Sequence, residues 1–357
     1  MNKLLLTSAI ACALVGASVE SAHAQSSVTI YGTVDLAVAK SNGGTAANAA
    51  QGGYTSTSNS YQLIQGHANR LGFRGNEDLG GGLSAQFQIE HRFSADTGAS
   101  SNANAFWQGL SYVQLTSTQL GKVYLGRNYT PAFLLTVRID PFGLDGIGEG
   151  GWQEYGYYHT PDPATAVGAN GVFVNGGSVR ESNAVGYISP SFNGFYAHLA
   201  TSLSEATQNG RVNSVNLNYD SGPLYVALNA EKVKGGLFRD QGLYQLGIAY
   251  DLGFTKLMGY AAKSMFATNY GYTSATTPVT SAHIYQVGAV TPVGGGAIKA
   301  TYLWVDAQRA NQDQRKLGLG YDYFLSKRTK LYADGSYTKQ DLKTNNKTVA
   351  LGIRHDF

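Results

Sequence analysis

The feature of this sequence that most constrains its fold is an alternation of apolar and polar residues along nearly the whole chain. Between residues 214 and 220, for example, Val215, Leu217 and Tyr219 alternate with Ser, Asn and Asp side chains. Successive side chains of a β-strand point to opposite faces of a sheet, so this period of two predicts strands with one apolar face. Helical periodicity does not compete over any comparable stretch. The chain is therefore predicted to be all-β.

About sixteen segments have this pattern. They lie near residues 27–40, 61–76, 83–93, 105–118, 122–128, 181–190, 194–204, 211–220, 223–233, 242–251, 255–265, 282–291, 296–307, 314–324, 329–339 and 347–357. Short turns alternate with long connections rich in Gly, Ser, Thr and Asn, at 41–60, 94–104, 129–180, 266–281 and 340–346. Such alternation is typical of an antiparallel, up-and-down transmembrane β-barrel. A ring of about sixteen strands is too wide for side chains to fill, so its interior holds water.

The composition agrees with a membrane barrel. Charged residues make up only 14% of the 357-residue chain, which contains 45 Gly and 24 Tyr. The 26 basic and 23 acidic residues give a net charge of +3, too small for the electrostatic footprint of a nucleic-acid-binding protein. In lipid every backbone polar group needs an internal partner, which a closed sheet supplies. An exported, soluble β-sandwich, β-helix or propeller remains the structural alternative.

The first 24 residues form a separate unit. Lys3 supplies a positive charge, residues 4–19 are apolar, and Ala22-His23-Ala24 matches a small-x-small cleavage site. This pattern predicts a secretory signal peptide at residues 1–24, because it is too short for a transmembrane helix. Residues 25–357 are then one barrel domain. Cys12, the chain's single cysteine, would leave with the signal, so the exported protein would have no disulfide.

Five motifs occur in order along the exported part. They are SVTIYGTVD (27–35), NRLGFRGNEDLGGGL (69–83), GKVYLGRNYTP (121–131), RESNAVGYISP (180–190) and GIRHDF (352–357). Together they resemble the Gram-negative general-diffusion porins of the β-proteobacterial type. The resemblance implies a sixteen-stranded outer-membrane barrel, a homotrimer and a third loop folded into the lumen. It also implies a passive channel for ions and small hydrophilic solutes, with no enzymatic activity and no cofactor.

The long third connection, residues 129–180, is the predicted constriction loop. It contains five acidic residues and, between 139 and 162, no Lys or Arg; the acids are Asp140, Asp145, Glu149, Glu154 and Asp162. We expect the first three to form the acidic side of a pore constriction. The alternatives are a solvated surface loop and a calcium site, although the spacing is not that of an EF-hand.

Four arginines are the predicted basic side of the constriction. Arg70 and Arg74 share one strand face, and Arg92 lies on the inward parity of the next strand. Arg127 has the parity of the apolar residues Val123 and Leu125, so a bulge must turn it inward. The motif around it resembles a pore-lining element of the family. Guanidiniums facing carboxylates would create a transverse field across the pore. The alternative is that the arginines pair locally inside the barrel.

The last residue, Phe357, looks like the recognition signal of the outer-membrane barrel assembly machinery. It could equally belong to an aromatic girdle of the barrel. The implied partners are this machinery, outer-membrane lipid, lipopolysaccharide and further copies of the chain, but no nucleic acid.

Motifs for other functions are weak. Gly146-x-Gly148-x-x-Gly151 matches a dinucleotide fingerprint only literally, since no buried strand precedes it. No G-x-S-x-G nucleophile motif is present. An outer-membrane hydrolase and a secreted adhesin remain the competing functions.

Overall fold

A computed structural model of the protein describes residues 27–46, 58–103, 105–150, 179–203, 211–234, 241–265, 281–307 and 313–357. The predicted signal peptide, residues 1–24, lies outside these ranges, as do two acids of the long third connection, Glu154 and Asp162. Among the described residues no helix has the length and hydropathy that crossing a membrane requires.

The described residues form seventeen strands and one helix. In chain order they are β1 (Ser27–Ser41), β2 (Tyr61–Ile64), β3 (Arg70–Gly80), β4 (Leu83–Arg92), β5 (Ser111–Ser117), β6 (Gly121–Tyr129), α1 (Pro131–Ile139), β7 (Arg180–Ile188), β8 (Phe195–Ser202), β9 (Arg211–Ser221), β10 (Leu224–Lys234), β11 (Gln241–Asp251), β12 (Lys256–Met265), β13 (Ser281–Val293), β14 (Gly296–Ala307), β15 (Gln314–Phe324), β16 (Thr329–Gln340) and β17 (Asn346–Asp356).

The strands form one closed antiparallel sheet. From β3 onward each strand pairs with the next, and β17 returns to pair with β1, with Val38 opposite Leu351. Both β2 and β3 pair with β1, so together they occupy one position in the ring. The result is a sixteen-stranded barrel, which confirms the predicted fold.

Two local features differ from the sequence prediction. The strand predicted over 61–76 is interrupted at residues 65–69, where the Gly66 N–H donates to the Asp35 carboxylate (3.1 Å). The predicted third loop begins with a helix, α1, in a region where no helix was expected. Both features arise from packing against distant strands, which a period-two pattern does not report.

The two faces of the barrel wall have the reverse polarity of a soluble protein. On β9, Val215 and Leu217 are exposed, whereas Ser214 and Asn216 are buried. The same reversal holds on the neighbouring strands, so the apolar residues face outward and the polar residues face the interior. An apolar outer band is what a barrel in lipid requires.

The inner face is apolar where α1 packs. Leu135 and Ile139 join a buried cluster with inward-facing residues of β9–β14, among them Leu243 and Ile284. Gly247 allows this approach, because a Cβ there would lie 2.9 Å from Leu135 and 3.1 Å from Ile139. The interior is therefore apolar along this part of the wall.

Candidate functional site

The chain leaves the barrel wall at the end of β6 through a well-defined helix start. The Thr130 side chain accepts a hydrogen bond from the Phe133 N–H (3.1 Å), and Pro131 occupies the first helical position. Both residue types favour this position, because the hydroxyl satisfies an orphan N–H and proline has none to satisfy. The sequence Thr-Pro thus fixes where α1 begins. The apolar face of α1 packs onto β8–β12.

Residues 140–150, here called the anchor segment, follow α1 and are organised around Asp140. Its buried carboxylate accepts hydrogen bonds from the N–H groups of Phe142 (2.8 Å), Leu144 (3.3 Å) and Gly150 (2.8 Å). The Gln286 amide of β13 also donates to it (3.3 Å). Asp140 therefore folds the segment into a closed turn and fastens that turn to the wall.

Glu149 forms a fully buried ion pair with Lys316 of β15. The Lys316 Nζ lies 3.4 Å from Glu149 Oε1, and both side chains are 0% exposed. The backbone fits closely at the same place, because a Cβ on Gly318 would collide with the carbonyl of Gly148. Burying two charges is favourable only when they are well paired, so this contact fixes the position of the segment.

Asp145 connects the far end of the anchor segment to the interruption between β2 and β3. Its carboxylate contacts His67 and lies 2.9 Å from the Arg354 guanidinium of β17. The Gly146 N–H donates to the Gly66 carbonyl (2.5 Å) beside this pair. The segment is therefore held on both sides of the seam where the barrel closes.

The imidazole of His67 bridges the anchor segment and Arg70. Its Nε2 lies 2.7 Å from the Arg70 guanidinium, which can only donate, so Nε2 accepts and Nδ1 donates to Asp145. Burial lowers the pKa of His67 below its usual value, which keeps the ring in this neutral form. Burial would raise the pKa of Asp145, but His67, Arg354 and Lys330 outweigh it and lower that pKa.

Arg70 and Arg74 project from the same face of β3 but differ in their surroundings. Arg70 is half-buried, donates to Thr33 (3.2 Å) and lies 4.0 Å from the Glu90 carboxylate. Arg74 is exposed and lies over the Tyr31 ring, 5.4 Å from its centre. Arg74 is therefore the more exposed of the two guanidiniums, and it presents its charge to water.

Arg92 is buried rather than presented to the pore. Its guanidinium pairs with Glu90 (2.6 Å) and donates to the Tyr129 hydroxyl (2.6 Å) and to the Ala68 carbonyl (3.1 Å). These contacts tie the interruption at 65–69 to the base of α1. Arg92 thus stabilises the wall next to the site through these contacts.

Arg127 lies beside an irregularity in the wall, whose extra residue is on β7, and it stays in register with Ser111 of β5. The pairing of β6 with β7 shifts between Gly126 and Asn128, and Gly126 has a φ of +125°, which favours glycine. The half-buried guanidinium donates to the Gln108 carbonyl (2.7 Å) and to the Ser182 hydroxyl (2.9 Å). A pore-lining role for Arg127 stays a prediction.

The three predicted loop acids thus lie in three separate contacts with the wall. In the described part of the chain, no group of three or more His, Cys, Asp or Glu side chains is arranged to hold a metal ion. The contacts of the three acids with Gln286, Lys316 and Arg354 hold the segment against the wall.

The sequence as a whole matches a known family. A model of the Gram-negative porin family aligns with residues 7–343. This chain belongs to that family.

Named relatives and a solved structure support the assignment. The porin is 34% identical to outer membrane porin protein 32 of Delftia acidovorans, over 97% of this chain and 92% of that protein. It is 30% identical to an outer membrane porin protein of Bordetella pertussis, over the full length of both. The structure of an anion-selective porin from Comamonas acidovorans superposes with a TM-score of 0.73, at 29% identity, covering 93% of this chain and 100% of that one.

The protein is accordingly an outer-membrane porin that forms a passive diffusion channel and is not an enzyme. These findings confirm the predicted family, location and general activity, and they exclude the hydrolase and secreted-adhesin alternatives.

Several residues of the porin's interior were missed by the sequence analysis. Lys316, Arg354 and His67 hold the anchor segment, and Lys299 lies 2.7 Å from Asp322 and 3.6 Å from Asp334 on the inner wall. For the residues that lie on strands, the sequence did contain a signal. A charged residue that alternates with apolar neighbours along a strand lies on the opposite face from them and must point inward. Lys316, Arg354 and His67 pair with loop residues 78 to 209 positions away, which leaves no local pattern.

Phe357 lies at the barrel seam. It exchanges two backbone hydrogen bonds with Gly32 of β1 (3.1 Å each), and its ring fills the space that a Cβ on Gly32 would occupy. The aromatic residue therefore completes the pairing of β17 with β1. Recognition of Phe357 by the assembly machinery stays a prediction.

Proposed function

We propose that this porin is a general-diffusion channel with a preference for small anions, narrowed by α1 and the anchor segment. The observation that carries the proposal is the unequal burial of opposite charges. The anchor-segment acids are bound to the wall, whereas the Arg74 guanidinium is exposed to water. A water-filled passage lined by low-dielectric walls concentrates the field of such exposed cations and attracts anions.

The proposed constriction is a modified form of the one expected from sequence. Arg70, Arg74 and Arg354 form its basic side, and Asp145 is the loop acid closest to them through its contacts with His67 and Arg354. Asp140 and Glu149 act as anchors of the segment that sets the width. Arg92 stabilises the wall through its contacts with Glu90 and Tyr129. Arg127 remains a candidate residue for lining the pore.

Two kinds of support accompany this geometry. The Comamonas acidovorans structure at 29% identity is described as anion-selective, and we infer the same preference for this chain. The family resemblance further implies a homotrimer and small hydrophilic solutes as cargo. We propose both, together with lipopolysaccharide and the barrel assembly machinery as partners in the membrane.

The test is the reversal potential of the refolded porin in a planar bilayer under a potassium chloride gradient. Wild-type protein should give stepwise conductance and a potential of the sign expected for chloride preference. Arg74→Ser should shift the potential toward cations or raise the single-channel conductance, because it removes an exposed positive charge and a long side chain.

A matched control is Arg315→Ser, since Arg315 lies on the outward parity of β15 and is exposed away from the interior. It should leave both quantities unchanged. Cation preference of the wild type would contradict the proposed selectivity, and an Arg74→Ser channel identical to wild type would remove Arg74 from the constriction.

A further inference from the structure

The inner wall of the barrel has a charged part and an uncharged part. On β14–β17 the inward-facing Lys299, Lys330 and Arg354 each form an ion pair with an aspartate of the same wall. On β4 and β5, by contrast, residues 83–89 and 111–117 contain no charged side chain, and the inward positions hold Ser, Gln, Tyr and Thr. This uncharged part extends from the short turns that precede β4 and follow β5, which lie at the periplasmic end of such barrels.

Six neutral side chains of this part form a connected surface, here called the amide patch. Gln88 of β4 lies opposite Tyr112 of β5. In the row nearer the turns, Gln86 lies between Asn76 of β3 and Gln114 of β5. Neighbouring strands are about 4.8 Å apart, so a small solute can contact two of them at once. The patch consists of Tyr31, Asn76, Gln86, Gln88, Tyr112 and Gln114.

The first row of the patch is held by a chain of hydrogen bonds with one direction. The Tyr112 hydroxyl donates to the Gln88 side-chain oxygen (2.7 Å), and the Gln88 amide N–H donates to the Tyr31 hydroxyl (2.6 Å). The Tyr31 hydroxyl in turn donates to the buried Glu90 carboxylate (3.1 Å). Because each donor is fixed by the next acceptor, these side chains are pre-organised and lose little freedom when a solute binds.

The second row is fixed in the same way. The Gln114 amide donates to the side-chain oxygen of Gln86 (2.6 Å), and the Gln86 amide donates to the side-chain oxygen of Asn76 (2.8 Å). Asn76 is exposed and ends the row. Both rows therefore present amides and hydroxyls in set orientations.

The patch keeps hydrogen-bonding capacity toward the lumen. A glutamine amide has two N–H donors and two oxygen lone pairs. The contacts given above use one N–H and one lone pair of Gln88, which leaves one of each for a ligand. Gln86, Gln88 and Tyr112 are half-buried and Asn76 is exposed, so these groups are accessible from the water-filled lumen.

We propose that the amide patch is a binding site for neutral, polyhydroxylated solutes, the chemical class of small sugars and polyols. The proposal rests on the diffusion channel proposed above and adds a second class of cargo to its anions. Each hydroxyl of such a solute can donate to an oxygen of Gln88 or Tyr112 and accept from a neighbouring amide. A solute without charge gains nothing from the field of the pore, so these short-range contacts are what concentrates it in the lumen.

The balance of donors and acceptors identifies the ligand class. Chloride accepts hydrogen bonds but donates none, and the exposed Arg74, which lies opposite Gln88 in register, offers it a stronger, charge-assisted partner. A polyether also accepts without donating. A hydroxylated solute, in contrast, uses the oxygens and the N–H groups of the patch together.

The experiment records the current through the full-length, refolded porin in a planar bilayer at constant potassium chloride. The trisaccharide raffinose and a polyethylene glycol of equal hydrodynamic radius are added in turn to both sides, so that each reaches the patch from the periplasmic mouth without crossing the constriction. We expect raffinose to reduce the current saturably, with half-saturation at a concentration about fivefold or more below that of the polyether. The comparison separates hydrogen bonding from obstruction by size.

Two variants test the groups of the patch. Gln88→Leu removes the amide between the two tyrosines while nearly keeping the size of the side chain, and it should reduce the preference for raffinose over the polyether by about threefold to tenfold. Tyr112→Phe keeps the ring and should reduce the preference in the same direction. The matched control is Gln119→Leu, which removes an exposed amide from the turn between β5 and β6 and should leave the preference unchanged.

Equal half-saturation by raffinose and the polyether in the wild type would overturn the proposal, and this comparison needs no variant. An unchanged preference in Gln88→Leu would overturn it as well, and so would a loss of preference in Gln119→Leu. Because the preference is a ratio, a change in pore width affects both solutes and does not imitate the expected result. A wild-type protein without stepwise conductance would contradict the proposed function itself, whereas conductance without a raffinose preference would contradict the amide patch alone.

Discussion

The acids of the anchor segment and the arginines of β3 carry opposite charges, but their surroundings differ as much as their signs. Asp140 and Glu149 are buried and bound to backbone N–H groups and to Lys316. On β3, Arg74 is exposed to water. A charge that is buried and paired helps to fix the position of the segment that carries it. A charge that is exposed contributes to the electric field that a solute meets in the pore. The comparison shows that counting acidic and basic residues cannot give the selectivity of a pore.

The largest expected effect comes from breaking the buried pair of the anchor segment. Lys316→Met removes the ammonium group that faces the buried Glu149 carboxylate, which should lower the free energy of unfolding by about 3–5 kcal/mol. Guanidinium chloride titration of the refolded barrel measures the loss. Release of the segment should also raise the single-channel conductance.

The matched control for this prediction is the double variant Lys316→Met with Glu149→Met. Replacing both charges with apolar groups of similar volume should restore most of the lost stability, because the buried carboxylate leaves together with its ammonium partner. If Lys316→Met and the double variant were equally unstable, the packing of Lys316 rather than its charge would account for the anchoring.

An effect of intermediate size on selectivity is expected at Asp145, where the anchor segment contacts an arginine of the wall. Asp145→Asn keeps the shape of the side chain but removes the negative charge beside His67 and Arg354. The reversal potential should move further toward anions, opposite in sign to the shift caused by Arg74→Ser. Asp306→Asn, on the outward parity of β14, is the control and should leave the potential unchanged. A shift toward cations in Asp145→Asn would contradict the assignment of Asp145 to the pore field.

The smallest expected effect is a pH dependence of the anchoring. The folded protein holds His67 neutral with a lowered pKa, so the unfolded chain takes up a proton first as the pH falls below about 6.5. Stability should therefore be complete above that pH and decline gradually as the pH falls below it. The lowered pKa of Asp145 adds a further loss only below the usual carboxyl range.

His67→Gln tests this pH dependence, because glutamine can donate and accept hydrogen bonds without titrating. The variant should have a thermal midpoint that changes less between about pH 7 and about pH 5 than that of the wild type. An equal slope in both proteins would assign the pH dependence to groups other than His67.

The sequence by itself determined the barrel. A period of two repeated over some sixteen segments, with apolar side chains on one parity, fixes which residues face lipid, because each side chain's direction is set by its own strand. Alternating connection lengths determined the up-and-down order, and the five motifs indicated the family. These are local properties, so they can be read without knowing which strands are neighbours.

Only the tertiary structure decided what the charged residues do. Lys316 meets Glu149 across 167 positions of sequence, and Arg354 meets Asp145 across 209. Neither partner could be chosen from sequence, since the inward parity offers many cations to each acid. The structure also decided that Arg92 is buried and Arg74 exposed, although both were predicted to face inward. Burial depends on which distant segment packs against a residue, and that is a property of the closed barrel and its anchor segment.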